Sequence, residues 1–277
     1  MLRALACASL LALGSCKQPA GDAQPAAQPE AKPDVQTAPA APATAPAAAV
    51  DPAAIVAAAD RSEDDRKADE RRKPVELLEF LELTPGMKVA DIGAGFGYTT
   101  ELLARAVGPT GRVYGQNPKF VLERFAEQPW SERLKKPVMA NVERVDREFS
   151  DPLPPELNGQ LDRVVNVLFY HDFEWQGVDR AAHNKAVLAA LKPGGAYILV
   201  DHSARAGDGV SQSKTLHRIE ESVLRAELEA AGFTFAGEAD FLRNPDDPRD
   251  FNALPWAGEG GGQLSDRFVH RYRKPGG

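Results

Sequence analysis

Cysteine is almost missing from this 277-residue chain: the two that occur, Cys7 and Cys16, both fall within the first sixteen residues. The body of the protein therefore has no thiol, which excludes a disulfide framework, a zinc–thiolate site and a cysteine nucleophile. Such a body is compatible with an oxidising compartment. Long apolar runs are missing too. The N-terminal run at residues 4–13 falls well short of the roughly 20 residues a permanent membrane-spanning helix needs. There is also no basic cluster. The 33 Lys and Arg are mixed along the chain with 40 Asp and Glu, for a net charge of −7. A nucleic-acid-binding stripe would be clustered and basic, so no nucleic-acid partner is expected. No internal repeat is visible.

What is present begins with an address. Met1-Leu2-Arg3 is a short positive start, and residues 4–13 are small residues and leucines, the core of a secretory signal. The run ends in Leu13-Gly14-Ser15-Cys16, which resembles the bacterial lipobox, in which the cysteine is lipidated and becomes the mature N-terminus. That resemblance implies a signal at residues 1–16 and a membrane partner through a lipid anchor at Cys16. Lys17 rather than Asp follows the cysteine, which by the enterobacterial sorting rule implies the outer membrane. A plain secretory signal with an incidental cysteine is the alternative. Residues 17–50 are almost all Ala, Pro, Gln and a few charges, too poor in apolar groups to offset chain entropy, and read as a disordered tether. Residues 51–277 remain for the folded domain.

Within the domain, residues 60–73 are densely charged and read as a solvated helix carrying i,i+4 pairs. Val75, Leu77, Leu78, Phe80 and Leu81 form an apolar helical face, with Pro74 at a suitable first position. A strand at 88–92 runs into Gly93-Ala94-Gly95-Phe96-Gly97, followed by a helix at 98–107 and a strand at 112–115. This βαβ unit implies a parallel sheet. The alternation continues with a helix at 120–135, strands at 142–149 and 161–169, and a helix at 180–191. The turn Lys192-Pro193-Gly194-Gly195 leads to a strand at 196–200, a helix at 219–231 and strands at 233–237 and 267–273. The expected class is α/β: seven strands, mostly parallel, helices on both faces, and an antiparallel C-terminal hairpin at the edge.

A glycine loop between a strand and a helix is by itself a weak signal. Here the spacing is G-x-G-x-G, and the dinucleotide pattern would need glycine where Tyr98 stands. No Gly-Lys-Ser/Thr follows, so it is not a Walker loop. Asp91 stands two residues before the first glycine. A carboxylate there can hold an ammonium group, and N–H groups at the loop and helix N-terminus can hold a carboxylate.

With these features the chain resembles the class I S-adenosylmethionine (SAM)-dependent methyltransferase family over roughly residues 70–275. The resemblance implies a Rossmann-like sheet, SAM as cofactor and a set of contacts. Asp91, Gly93, Gly95 and Gly97 fall on the family's first motif. Asn117, with Gln116 beside it, falls where the family places an acidic residue on the ribose hydroxyls, a departure that removes charge and a bidentate acceptor. Glu148 falls near the adenine amino group, Asn166 on the strand bordering the transferred methyl. The runs Gly115-Gln116-Asn117-Pro118 and Leu168-Phe169-Tyr170-His171-Asp172 look like a group of predicted bacterial methyltransferases.

Ligands of open α/β sheets sit at the C-terminal ends of the strands. His171, directly after the fourth strand, is the best general-base candidate, a loop histidine being the plain alternative. Arg218 is a candidate clamp for an anionic substrate, its alternative a surface ion pair, and Trp256 is read as anchoring a long loop to the core. No metal is expected as the first reading. Convergence of Asp172, Asp201 and His202 on one divalent ion, as in catechol-type methyltransferases, is the weaker one. The leading function is methyl transfer to a small molecule or a cell-envelope component. The alternatives are a module that binds SAM-like or nucleoside ligands without turnover and, more weakly, a nucleotide-dependent oxidoreductase.

Overall fold

The computed structural model describes residues 49–254, 256 and 264–276. The expected signal at 1–16 and nearly all of the expected tether lie outside these residues. No described helix is long and apolar enough to cross a membrane.

The chain enters through α1 (Pro52–Val56), α2 (Glu63–Arg72) and α3 (Pro74–Leu81). Asp51 and Ser62 cap the first two helices by accepting from Ala54 N and Asp65 N. The sheet then begins with β1 (Lys88–Ile92), followed by α4 (Tyr98–Val107), β2 (Arg112–Asn117), α5 (Lys119–Val121), α6 (Glu127–Leu134), β3 (Val142–Asp146) and β4 (Leu161–Val167). It is completed by α7 (Arg180–Ala190), β5 (Leu191–His202), α8 (Glu221–Ala230), β6 (Thr234–Ala239) and β7 (Arg267–Arg273). The seven strands are ordered β3-β2-β1-β4-β5-β7-β6. β1 to β5 are parallel; β7 runs antiparallel between β5 and β6. This is the expected α/β sheet with an antiparallel pair at its C-terminal edge. The central strands are buried on both faces, which is why β4 and β5 read as continuous apolar runs rather than alternating ones.

Two elements differ from expectation for identifiable reasons. The helix expected at 120–135 is broken by a π-turn at Leu122–Ala126, where Glu127 N bonds Leu122 O. Pro129 follows in the first turn of α6 and has no N–H to give to the carbonyl four residues back, so a widened turn there costs no bond. β5 begins at Leu191, with Lys192-Pro193-Gly194-Gly195 as a bulge between the pairings Leu161↔Leu191 and Arg163↔Ala196.

The chain order reverses between β1 and β4, the two neighbours at the middle of the sheet. The crevice outside their C-terminal ends is where an open α/β sheet binds ligands.

Candidate active site

The glycine loop leaves β1 at this crevice. Gly93, Gly95 and Gly97 have φ of 71°, 56° and 84°, a region L side chains rarely adopt. At Gly97 there is also no room: a Cβ would lie 2.4 Å from the ring of Trp130. Trp130 is fully buried beneath the loop, so the glycine sets how closely loop and α6 approach.

The end of β2 holds the loop. Gln116 Oε1 accepts from Gly93 N at 3.1 Å and Gln116 O from Ala94 N at 2.9 Å. Asn117 makes a two-way bond with Gly95, its Oδ1 accepting from the N–H at 2.8 Å and its Nδ2 donating to the carbonyl at 3.0 Å. Gly97 N bonds Ala94 O. The N–H groups of Gly93, Ala94, Gly95 and Gly97 are thus spent inside the loop, correcting the expectation that they would donate to a ligand. Gln116 and Asn117 are likewise committed to the loop rather than turned toward a ribose. An amide at position 117 supplies both a donor and an acceptor to Gly95; the acidic residue usual there would lack the donor. Glu148 lies beyond the end of β3 and is exposed, away from the cavity. Asn166 is fully buried within β4, in register with Ile92 and Leu199.

Above the loop lies a cavity of about 740 Å³. Asp91 forms part of its wall, only 2% exposed, and accepts a 2.6 Å bond from Thr100 Oγ1. Burial pushes its carboxyl up to about 7, against the pull of the Thr100 hydrogen bond and the Arg72 guanidinium. Arg72 lines the same cavity, its guanidinium stacked 4.8 Å from the ring centre of Tyr98, and burial lowers its pKa. Apolar walls come from Phe120, Val121, Phe169 and Trp175, with Phe125 and Leu264 exposed at the rim. Trp256 is also at the rim and 78% exposed, so it is not a core anchor.

The charged segment 60–73 contains the expected helix and exposes much of it, but some of its charges are paired with the rest of the domain. Arg133 forks onto Asp65 with bonds of 2.7 and 2.8 Å, and also binds Glu101 and the carbonyl of Phe96 in the glycine loop. Arg61 forks onto Asp69, which accepts in turn from Tyr98 Oη. α2 is thereby fastened over α4 and the loop, bringing Arg71 and Arg72 to the cavity. The signal available in the sequence was a run of charges of both signs, which does not distinguish solvated residues from paired ones.

At the other end of the cavity, beyond β4 and β5, stand the histidines. His171 is 1% exposed; its Nδ1 lies 2.6 Å from Asp201 Oδ1 and its Nε2 3.1 Å from Asp172 Oδ1. Burial alone would lower its pKa, but the charges of Asp201 and Asp172 override this and raise it to about 10. Both ring nitrogens face carboxylates and the ring is not part of the cavity wall, so His171 does not fit the expected role of a free general base. His217 bonds Asp172 Oδ1 through Nδ1 at 2.9 Å, and both residues line the cavity. His202 Nδ1 shares a 2.6 Å hydrogen bond with Ser265 Oγ, and burial holds its pKa well below the ordinary value. Arg218 is neither clamp nor surface ion pair: it is fully buried, tied to Asp247 and to the carbonyl of Ser203.

The comparisons with known proteins agree with this architecture. The chain superposes on a SAM-dependent methyltransferase from Aquifex aeolicus with a TM-score of 0.54 at 19% identity, covering 80% of this chain and 98% of that one. The fold is that of the class I SAM-dependent methyltransferases. A geranyl diphosphate C-methyltransferase from Streptomyces coelicolor gives a TM-score of 0.51 at 16% identity over 82% of this chain and 90% of its own. The same fold is found in the [4+2]-cyclase SpnF, with a TM-score of 0.52 at 16% identity over 74% and 83% of the two chains. In sequence, the family described as Protein-L-isoaspartate(D-aspartate) O-methyltransferase (PCMT) matches residues 73–145. The protein-L-isoaspartate O-methyltransferase of Methanosarcina mazei is 30% identical over 125 residues, 44% of each chain. The match thus spans less than half the length of that relative. The enzyme of the same name from Methanothermobacter thermautotrophicus is 47% identical over 38 residues, 14% of this chain and 18% of its own.

Proposed function

We propose that this chain binds SAM in the cavity and transfers its methyl group to a small-molecule acceptor. The observation that carries the reading is the pair Asp91 and Arg72, opposite charges facing one cavity beside a G-x-G-x-G loop. Asp91 suits the ammonium of the cofactor's amino-acid tail and Arg72 its carboxylate, a task the N–H groups of Gly93, Ala94, Gly95 and Gly97 are not free to perform. Phe120, Val121 and Phe169 offer an apolar wall for the adenine. When bound, SAM supplies an electrophilic methyl group on a sulfonium. The chain's own contribution is to orient the acceptor and exclude water, which can provide most of the acceleration.

The match to the isoaspartate methyltransferase family at residues 73–145 ends within β3, so it supports the cofactor half and leaves the acceptor half open. There Trp175 and the cation Lys214 favour an acceptor with an apolar body and an anionic group. A cell-envelope component of that chemistry fits equally. A second reading, binding without methyl transfer, is favoured by one observation: both ring nitrogens of His171 face carboxylates rather than an acceptor.

The test is thermal unfolding of the full chain with SAM, S-adenosylhomocysteine (SAH) and NAD. A ligand at a hundred times its dissociation constant stabilises by about 2.7 kcal/mol. Each kcal/mol moves the midpoint of a domain this size by roughly 2–4 °C. The midpoint is expected to rise with the two adenosyl ligands and not with NAD; no rise with either would sink the reading. Transfer of radiolabelled methyl to an envelope extract then separates turnover from binding alone.

A further inference from the structure

Asp172 is over-subscribed. Its Oδ1 is approached by Trp175 Nε1 at 2.7 Å, His217 Nδ1 at 2.9 Å and His171 Nε2 at 3.1 Å. A carboxylate oxygen has two lone pairs, so three N–H donors cannot all be served well. The loser is His171: its Nε2 is buried and lacks a hydrogen bond of acceptable geometry. A buried nitrogen without a partner, aimed at an anionic oxygen and a second imidazole, calls for an explanation other than hydrogen bonding.

We infer that His171, Asp172 and His217 form a binding site for a divalent transition-metal ion at the acceptor end of the cavity. One ligand atom of each residue lies within 4.8 Å of the others. Two ligand atoms about 2.1 Å from a shared ion and at right angles to each other are roughly 3.0 Å apart. The separations of 2.9 and 3.1 Å around Asp172 Oδ1 match that edge. The support behind the ligands is of the kind metal sites use. Asp201 is fully buried, accepts from the backbone N–H of His171 at 2.8 Å and holds its Nδ1 at 2.6 Å. With Nδ1–H donated to Asp201, His171 aims its Nε2 at the ion and releases any proton held there when the ion binds. A second backbone N–H, from His202, braces the same carboxylate at 2.8 Å.

Two imidazoles and one carboxylate favour Fe²⁺, Co²⁺, Zn²⁺ or Mn²⁺ over Mg²⁺ and Ca²⁺, which prefer all-oxygen sites. Three protein ligands leave coordination positions open. Asp172 and His217 line the cavity, so those positions open onto it and take an oxygen donor of whatever occupies the acceptor end. The site is a different set from the Asp172, Asp201 and His202 convergence considered from sequence. Asp201 supports rather than ligates, and His202 is engaged with Ser265.

The test uses the untagged full chain, stripped with a chelator and titrated with Co²⁺, followed by visible absorption, and with Zn²⁺, followed by calorimetry. One ion per chain is expected, undisturbed by a large excess of Mg²⁺. His217→Gly is the informative variant because His217 has φ 52°, which glycine adopts without strain. It is expected to keep its thermal midpoint and its response to SAH while losing the Co²⁺ spectrum. Asp201→Asn is expected to weaken metal binding by roughly tenfold to a hundredfold. No Co²⁺ or Zn²⁺ binding by the wild-type chain, undiminished binding by His217→Gly, or displacement by Mg²⁺ at comparable concentration would each overturn the site. SAH binding is read in the same samples, so a failure of the methyl-transfer proposal would be seen separately.

Discussion

Asp91 faces opposite demands in its two states. Without a ligand, burial raises its pKa to about 7, and the charged group facing it is Arg72 from α2, with Thr100 donating from α4. With an ammonium beside it, the carboxylate must be ionised. Binding of SAM or SAH therefore releases the proton, and affinity is expected to fall as pH drops below about 7, approaching tenfold per pH unit. Calorimetry with SAH between pH 5.5 and 8 checks this; Asp91→Asn should bind weakly and show a flat profile over that range. At Gly97 the constraint is steric. Gly97→Ala combines φ 84° with a Cβ driven into Trp130, and is expected to destabilise by about 2–4 kcal/mol in urea unfolding. Gly95→Ala meets nothing closer than 4.0 Å and should lose less.

At the scale of elements, α2 shows where sequence reading reaches its limit. The glycine loop, β1 and α4 were legible because spacing and periodicity are local properties of the chain. The function of α2 was not, since Asp65 finds its partner Arg133 across 68 residues. Glu101 is similar: it sits on α4 at 1% exposure and is neutralised by Arg105, Arg133 and Lys136, two of them from the segment after α5. The same limit explains Gln116 and Asn117, whose position at the end of β2 was legible while the direction of their side chains was not. Arg133→Ala is expected to cost about 3 kcal/mol, because Asp65 is left buried without its cation while Glu101 keeps two. It should also weaken SAH binding, since the tie to Phe96 O in the glycine loop is lost. Urea unfolding and calorimetry on one variant separate the two effects.

For the whole molecule, buried histidines and a buried carboxyl set opposing pH responses. His183 is held neutral between Phe149 O and Tyr197 Oη, and burial lowers its pKa from 6.5 to about 4. The unfolded chain takes up that proton first, so stability is lost as pH falls from 6.5 towards 4, by roughly 3 kcal/mol. Asp91 acts in the other direction. Its folded pKa of about 7 lies above the unfolded value of 3.8, so the folded state holds the extra proton and gains stability as pH falls through the same window. His202, whose pKa burial also holds well below 6.5, adds to the loss, so the wild-type chain is expected to lose stability as pH falls from 6.5 towards 4, and Asp91→Asn to lose it more steeply. Urea midpoints at several pH values decide it. The overall architecture was readable in the sequence because strand and helix alternation already implies a parallel sheet. The antiparallel pair was readable too, from the missing helix between its strands. What pattern alone did not reveal is that β7 enters between β5 and β6 rather than adding to the edge.

That insertion has a temporal consequence. During synthesis β5 and β6 leave the ribosome well before β7, and each waits with an unpaired backbone edge for the strand that will join them. β7 is buried along nearly its whole length, so it closes the sheet as a keystone closes an arch. Until residues 267–273 have emerged, the nascent chain has two sticky borders where the finished protein has an interior.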